Sequence, residues 1–309
     1  MSTAPEQLLA DAVTTETALK TLFDHLEQGP APRLASAMAY ATLGGGKRLR
    51  AGLVLGASRL AAELSETKPA TGVINVAMAF ECLHAYSLIH DDLPAMDDAE
   101  TRRGKASCHL AYDEATAVLA GDTLQTLAFE LLSREDTHPD GLIRAGLVTD
   151  LAQASGLSGM AGGQMLDLEA ETRPFNLDET KAMQRLKTGA LIRASAVAGG
   201  RVGGGSPSLL SALDTYADKI GLAFQIADDV LDRTADEGAM GKPTRRDTDQ
   251  GKASYVTIMG LDEAIAEADQ LVGEANQILT DAASQHASNT THALDYMLEI
   301  SSFIVRRQN

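Results

Sequence analysis

The 309 residues carry 26 Lys and Arg against 43 Asp and Glu, for a net charge of −17, which disfavours nucleic acid as a partner because that binding rests on clustered cations. Apolar residues make up 44%, aromatics only 4%, and Trp is absent, a balance that suits close helix packing around a large core. Two cysteines, Cys82 and Cys108, offer no disulfide or zinc framework, and the first residues show neither a basic start nor an apolar signal core. No uninterrupted apolar stretch approaches the roughly 20 residues of a membrane span. These features predict a cytoplasmic protein with reduced thiols.

Helical spacing runs from Glu6 to Gln28 through Leu8, Leu9, Ala12, Leu19, Leu22, Phe23 and Leu26, until Gly29-Pro30-Ala31-Pro32 ends it. A short helix from Arg33 to Leu43 leads into Gly44-Gly-Gly-Lys-Arg-Leu-Arg50. That Gly-rich basic turn could cradle a phosphate with backbone amides and cationic side chains. It lacks the Lys-Ser/Thr ending and the preceding strand of a P-loop, so taken alone it reads equally well as a helix-helix turn. Helices from Ala51 to Leu64 and from Thr71 to His90 follow, the second mostly apolar, without Gly or Pro after Gly72, and predicted to be buried. Pro94 disfavours helix at Leu93, so this second helix should end within or just after Asp91-Asp92. His84, Leu88 and Asp91 share one of its faces.

Asp91, Asp92, Asp97, Asp98 and Glu100 crowd the end of that helix, with Arg102 and Arg103 behind them. Carboxylates at a helix C-terminus oppose the macrodipole and one another, and they destabilise the site unless a cation compensates. A solvated acidic loop is the alternative reading. Downstream, helices are expected near Tyr112 to Arg134 and Pro139 to Ser155, and then the small residues of 156–163 suit close helix approach. Another helix runs from Leu177 to about Gly199, with Asp178 as its expected cap and Lys187-Thr188-Gly189 in its middle. Gly in mid-helix costs about 1 kcal/mol relative to Ala, which suggests a kink or a close backbone approach. Gly199 to Gly205 reads as a flexible joint. Pro207 then opens a long helix carrying Phe224-Gln-Ile-Ala-Asp-Asp-Val-Leu-Asp232. There Gln225, Asp228, Asp229 and Asp232 fall on a single face. Two acidic walls amid apolar residues are the donor set of hard cations, and magnesium needs only one or two carboxylates when phosphate oxygens and water complete its shell. A basic, Gly-flanked stretch from Gly241 to Lys252 and two amphipathic helices, Leu261 to Ser284 and Thr291 to Arg306, close the chain. No strand alternation is evident.

In this order, the two Asp clusters, the Gly-Gly-Lys-Arg-x-Arg turn, the Lys-Thr-Gly helix and the late Gly-Lys…Asp…Gly-Lys stretch resemble the short-chain trans-polyprenyl diphosphate synthases, of the bacterial farnesyl diphosphate synthase type. The resemblance covers nearly the whole chain. It implies an all-α, single-domain bundle of about ten or more helices around a deep central cavity, the isoprenoid synthase fold, as a homodimer. It also implies a magnesium-dependent prenyltransferase, with three ions per site and manganese as a substitute. Asp91 and Asp97, supported by Asp92, would hold two ions, and Asp228, with Asp229 and Asp232, the third. Arg102, Lys187, Lys242 and Lys252 would grip the allylic diphosphate. Lys47, Arg50, His84 and Arg103 would bind isopentenyl diphosphate, and Thr188 and Gln225 would stand near the developing allylic cation.

Tyr86, with Ser87 beside it, lies five residues before Asp91, about 7.5 Å along the helix axis. Its ring is the expected floor of the cavity, which favours a fifteen-carbon product; otherwise Tyr86 is ordinary core and the floor lies elsewhere. A geranylgeranyl diphosphate synthase, a terpene cyclase and a noncatalytic subunit are the rival readings. Ala51, where the family often has Pro, and Thr244-Arg245-Arg246-Asp247, where it commonly has a small residue before the Asp, are departures from the pattern.

Overall fold

Side-chain caps fix where several helices of the computed structural model begin; it describes residues 5–68, 70–234, 255–285 and 292–306. Asp113 accepts from the Thr116 amide at 2.7 Å to open α6 (Glu114–Ser133), and Asp140 accepts from Leu142 at the head of α7 (Gly141–Ser155). Asn176 and Glu179 form a reciprocal capping box on α9 (Leu177–Gln184), so the cap is Asn176 and not the expected Asp178. Ser206 accepts from Leu209, and Pro207, suited to a first helical position, starts α11 (Pro207–Thr234).

The remaining elements are α1 (Glu6–Leu26), α2 (Pro32–Thr42), α3 (Leu49–Leu64), α4 (Val73–Asp91), α5 (Cys108–Ala111), α8 (Met160–Ala170), α10 (Ala190–Val202), α12 (Tyr255–Met259), α13 (Leu261–Ser284) and α14 (His292–Arg306). The fold is all-α. One small exception is a two-stranded antiparallel hairpin, β1 (Thr101–Arg102) with β2 (Lys105–Ala106). The hairpin was not expected, because two-residue strands are too short to show alternation. Its turn places Arg103 at φ 52° and Gly104 at φ 74°, the left-handed pair that matches strand twist.

Helix α4 is the centre of the molecule, with α1, α2, α3, α6 and α10 packed around it. Asn75 to Leu83 are all buried. By length and by its mean hydropathy of 1.2, α4 is long and apolar enough to cross a membrane, although Asn75, Glu81 and His84 interrupt its apolar run. Most of it is enclosed by the surrounding helices, as in the core of a globular protein.

Glycines set three close approaches. A Cβ at Gly199 would overlap the backbone of Val54, and one at Gly203 would press on Ser58, so α10 lies directly on α3. The expected flexible joint from Gly199 is therefore helix as far as Val202, where Gly199 and Gly203 serve packing, while Gly204 at φ 80° makes the turn out of it. Gly163 of α8 likewise leaves no room for a Cβ against the Lys187 backbone. That is the close approach the small residues of 156–163 suggested, although α8 itself was not foreseen as a helix. Between α9 and α10 the chain makes a π-helical turn, Arg185–Gly189. Gly221 of α11 approaches the Gly189 Cα, so the close contact expected at Gly189 is present.

Candidate active site

The acidic loop is built by α4's own end. The amides of Asp97, Asp98 and Ala99 return to the carbonyls of Asp91, Leu93 and Asp92 and so satisfy groups left open where the helix stops. Asp98 takes φ 47° to make the bend. This fold-back brings Asp97 beside Asp91. Burial pushes the Asp91 carboxyl up to about 6; Asp97 and Asp92 add to the rise, while Lys187 and Arg102 oppose it. Asp97 is exposed.

Asp92 is different. It is 2% exposed, and the hairpin brings Arg102 across it with Nε 3.0 and 3.1 Å from its two carboxylate oxygens and Nη2 also paired. Asp92 and Arg102 therefore neutralise each other, which sets Asp92 behind Asp91 as a support.

Asp91 opens onto a cavity of about 520 Å³, lined also by Arg50, His84, Tyr86, Ser87, Leu88, His90, Val118, Met160, Gln164, Lys187, Thr188 and Leu191. The cavity thus joins α3, α4, α6, α8 and the π turn. Lys187 is held from α8 by Asp167 at 2.6 Å. The Ser87 hydroxyl donates to the His84 carbonyl at 2.9 Å.

A second cavity, about 170 Å³, is lined by Gly45, Gly46, Lys47, Arg48, Arg50, Glu81, His84, Arg103, Phe224, Phe303 and Ile304. Arg50 and His84 belong to both cavities, so the two share a wall. Lys47 lies over the Phe303 ring, 5.0 Å from its centroid. Arg103 packs along Gly45 and Gly46, whose missing side chains make room for it. Buried Arg50 Nε and Arg103 Nη1 have no hydrogen-bond partner among the described residues. Burial, then the surrounding guanidinium groups of Arg50, Arg103, Arg48 and Arg102, hold the His84 imidazole well below its usual range and therefore neutral. Buried cationic N–H donors of this kind suit an anion with many oxygens.

Sequence reading missed the scaffold beneath this pocket. Arg48, at φ 48°, turns inward from its neighbours Lys47 and Arg50. Its guanidinium pairs with Glu16 of α1, with Glu81 of α4 at 2.9 Å and with the Thr42 carbonyl at 2.5 Å. Glu81 also accepts from the Ala51 amide at 3.2 Å, and Glu16 from the Gly44 amide at 2.6 Å. Glu16 and Glu81 stand 32 and 33 residues from Arg48, and partners so far apart carry no sequence signature. Gln164 and Phe303 were missed for the same reason.

On α11, Asp228 is exposed, and Asp229 and Asp232 are half-buried. Asp229 accepts from the Tyr255 amide at 2.7 Å, which ties it to the start of α12. Asp228 is close enough to Arg50 to act on its charge. Gln225 is half-buried and is not among the residues lining either cavity. Lys242 and Lys252, with Thr244, Arg245, Arg246 and Asp247, lie outside the described residues. Among the described residues, no three acidic, His or Cys side chains form a closed metal cage. An open set of carboxylate oxygens around a raised Asp91 nonetheless fits magnesium, which takes few protein ligands and completes its shell from phosphate and water.

A deep helical cavity with an acidic mouth, joined to a cationic pocket, defines a class of enzyme that brings two anionic substrates together. The family is identified by sequence: residues 31–297 match the polyprenyl synthetase model, and the chain belongs to that family. It is 42% identical over 305 residues to a farnesyl diphosphate synthase of Escherichia coli, covering 98% of each chain. Among solved structures, an FPP/GFPP synthase from Zymomonas mobilis superposes with a TM-score of 0.81 at 40% identity, covering 97% of this chain and 99% of that one. A Helicobacter pylori geranyltransferase, solved with magnesium and isoprenyl diphosphate, superposes with a TM-score of 0.79 at 35% identity, covering 99% and 98%.

Proposed function

We propose that this chain condenses isopentenyl diphosphate head-to-tail with dimethylallyl and then geranyl diphosphate to form (2E,6E)-farnesyl diphosphate, as a homodimer. The carrying observation is the shared wall: Arg50 and His84 border both the cationic pocket and the large cavity.

Isopentenyl diphosphate occupies the pocket of Lys47, Arg50, His84 and Arg103. Neutral His84 donates a hydrogen bond there without adding a fourth cation. The allylic substrate lies in the large cavity with its diphosphate toward Asp91 and its chain toward Tyr86. Asp91, Asp97 and Asp228 are the side chains that would hold three magnesium ions, with Asp92, Asp229 and Asp232 supporting them. Bound magnesium supplies charge neutralisation for the departing diphosphate. Lys187, fixed by Asp167, places a cation at the same leaving group. The Thr188 hydroxyl and the apolar walls of Leu88, Met160 and Leu191 face the allylic carbon as it gains positive charge. Excluding water there lets the isopentenyl double bond attack first. Loss of a proton from the condensed cation then gives the new allylic diphosphate.

The test is incubation with magnesium, isopentenyl diphosphate and dimethylallyl diphosphate, followed by phosphatase treatment and chromatography of the alcohols. Farnesol should dominate, and both EDTA and Asp91→Ala should abolish it. Geranylgeraniol as the main alcohol would overturn the product length, and no condensation with any allylic starter would overturn the reaction.

A further inference from the structure

A tyrosine can stop a growing chain only if its ring is kept across the tunnel. His90 stands one helical turn beyond Tyr86 on α4, and helical side chains lean back toward the N-terminus, so the His90 ring is carried onto Tyr86. The two rings meet edge to face, 4.9 Å between centroids and 77° between planes. His90 is in turn docked on α6. Its Nε2–H donates to the Val118 carbonyl at 3.1 Å, and the Asp122 carboxylate lies 3.9 Å from the same nitrogen. The imidazole fills a notch over Gly121, where any Cβ would overlap it. Tyr86, His90 and Val118 all line the large cavity, whereas Gly121 does not.

We propose that His90 is a positioning residue for product length: seated in the Gly121 notch, it locks the Tyr86 ring across the tunnel and so sets where elongation stops. This rests on the reading of Tyr86 as the tunnel floor. An edge-to-face aromatic contact biases a side-chain conformer by about two- to tenfold, enough to govern how often the tunnel stands open. Val118, through its carbonyl, and Gly121, through the space it leaves, make α6 the reference against which the floor is held.

The experiment compares wild type, Tyr86→Ala, His90→Ala, Gly121→Ala and the His90→Ala/Gly121→Ala double variant. Each is incubated with magnesium, isopentenyl diphosphate and geranyl diphosphate, and the geranylgeraniol-to-farnesol ratio is read after phosphatase treatment. His90→Ala should raise the ratio about two- to tenfold, the bias that the edge-to-face contact supplies. Gly121→Ala should raise it as well, because the new methyl displaces His90. In the double variant the clash is absent, so the ratio should match that of His90→Ala alone. Gly121 lines no part of the cavity, and a shift of α6 would persist in the double variant, so a ratio there equal to that of His90→Ala shows that Gly121→Ala acts through His90. An unchanged ratio in His90→Ala and Gly121→Ala, beside a raised ratio in Tyr86→Ala, overturns the proposal and leaves Tyr86 as the floor. An unchanged ratio in Tyr86→Ala overturns the floor and the proposal together.

Discussion

Replacing Glu81 with Gln isolates the network under the cationic pocket. The Glu81 and Arg48 side chains are 3% and 2% exposed, and their 2.9 Å ion pair is closed to water. Breaking a buried pair by removing one charge costs about 3–5 kcal/mol, since the partner remains buried and uncompensated. Glu16 still reaches Arg48 but is 35% exposed, so it offsets only part of the loss. About 3 kcal/mol of destabilisation is therefore expected for Glu81→Gln, read as a lowered urea midpoint. The Gln amide oxygen can still accept from Ala51, which keeps the head of α3 capped. Arg48, however, loses its hold on the Gly44–Arg50 turn that presents Lys47 and Arg50. The KM for isopentenyl diphosphate should rise about tenfold or more, with that for geranyl diphosphate within about twofold, corresponding to some 1.4 kcal/mol lost from one site only. Replacing both members with apolar groups, Arg48→Met/Glu81→Leu, should recover most of the stability and none of the KM. Destabilisation below about 1 kcal/mol, within the range of an ordinary surface substitution, or an equal rise in both KM values, would refute the reasoning.

Asp91 gives a prediction of opposite sign. Its folded-state carboxyl, raised by burial to about 6 from 3.8, binds a proton more readily than in the unfolded chain, so folding stability is lost as pH rises between those values. In EDTA at pH 7.5, Asp91→Asn should melt higher than wild type, by at most about 3 kcal/mol of stability, and the gain should vanish near pH 4; a lower melting point for the variant would contradict a strained anion. Gly163→Ala should separate α8 from the Lys187 backbone and so weaken the Lys187–Asp167 pair. A destabilisation of about 1–3 kcal/mol should accompany a fall in kcat larger than any change in the KM for isopentenyl diphosphate, and a variant with wild-type kcat would count against that role of α8.

Local pattern determined much of this protein. Pro94 after Asp91-Asp92 places the end of α4 within one residue of where it falls, and the spacing of Asp228, Asp229 and Asp232 puts them on one helical face, because both depend on backbone geometry over a few residues. The set Lys47, Arg50, His84 and Arg103 came from the resemblance to the family, and the four line one pocket. What the pattern left open was decided by contacts between distant segments. Arg48 borders the same pocket as Lys47 and Arg50, yet its guanidinium is held in the core, since Glu16 and Glu81 wait there on other helices. Asp92, next to Asp91, is neutralised by Arg102 because a two-residue hairpin folds over it. Gly199 reads as a hinge and is a packing contact, because Val54 lies against it. His90 is docked on α6 because Gly121 leaves a notch there. Periodicity specifies which side chains share a face of one helix; which partner that face meets is set by how the helices pack, and so is fixed only in the tertiary structure.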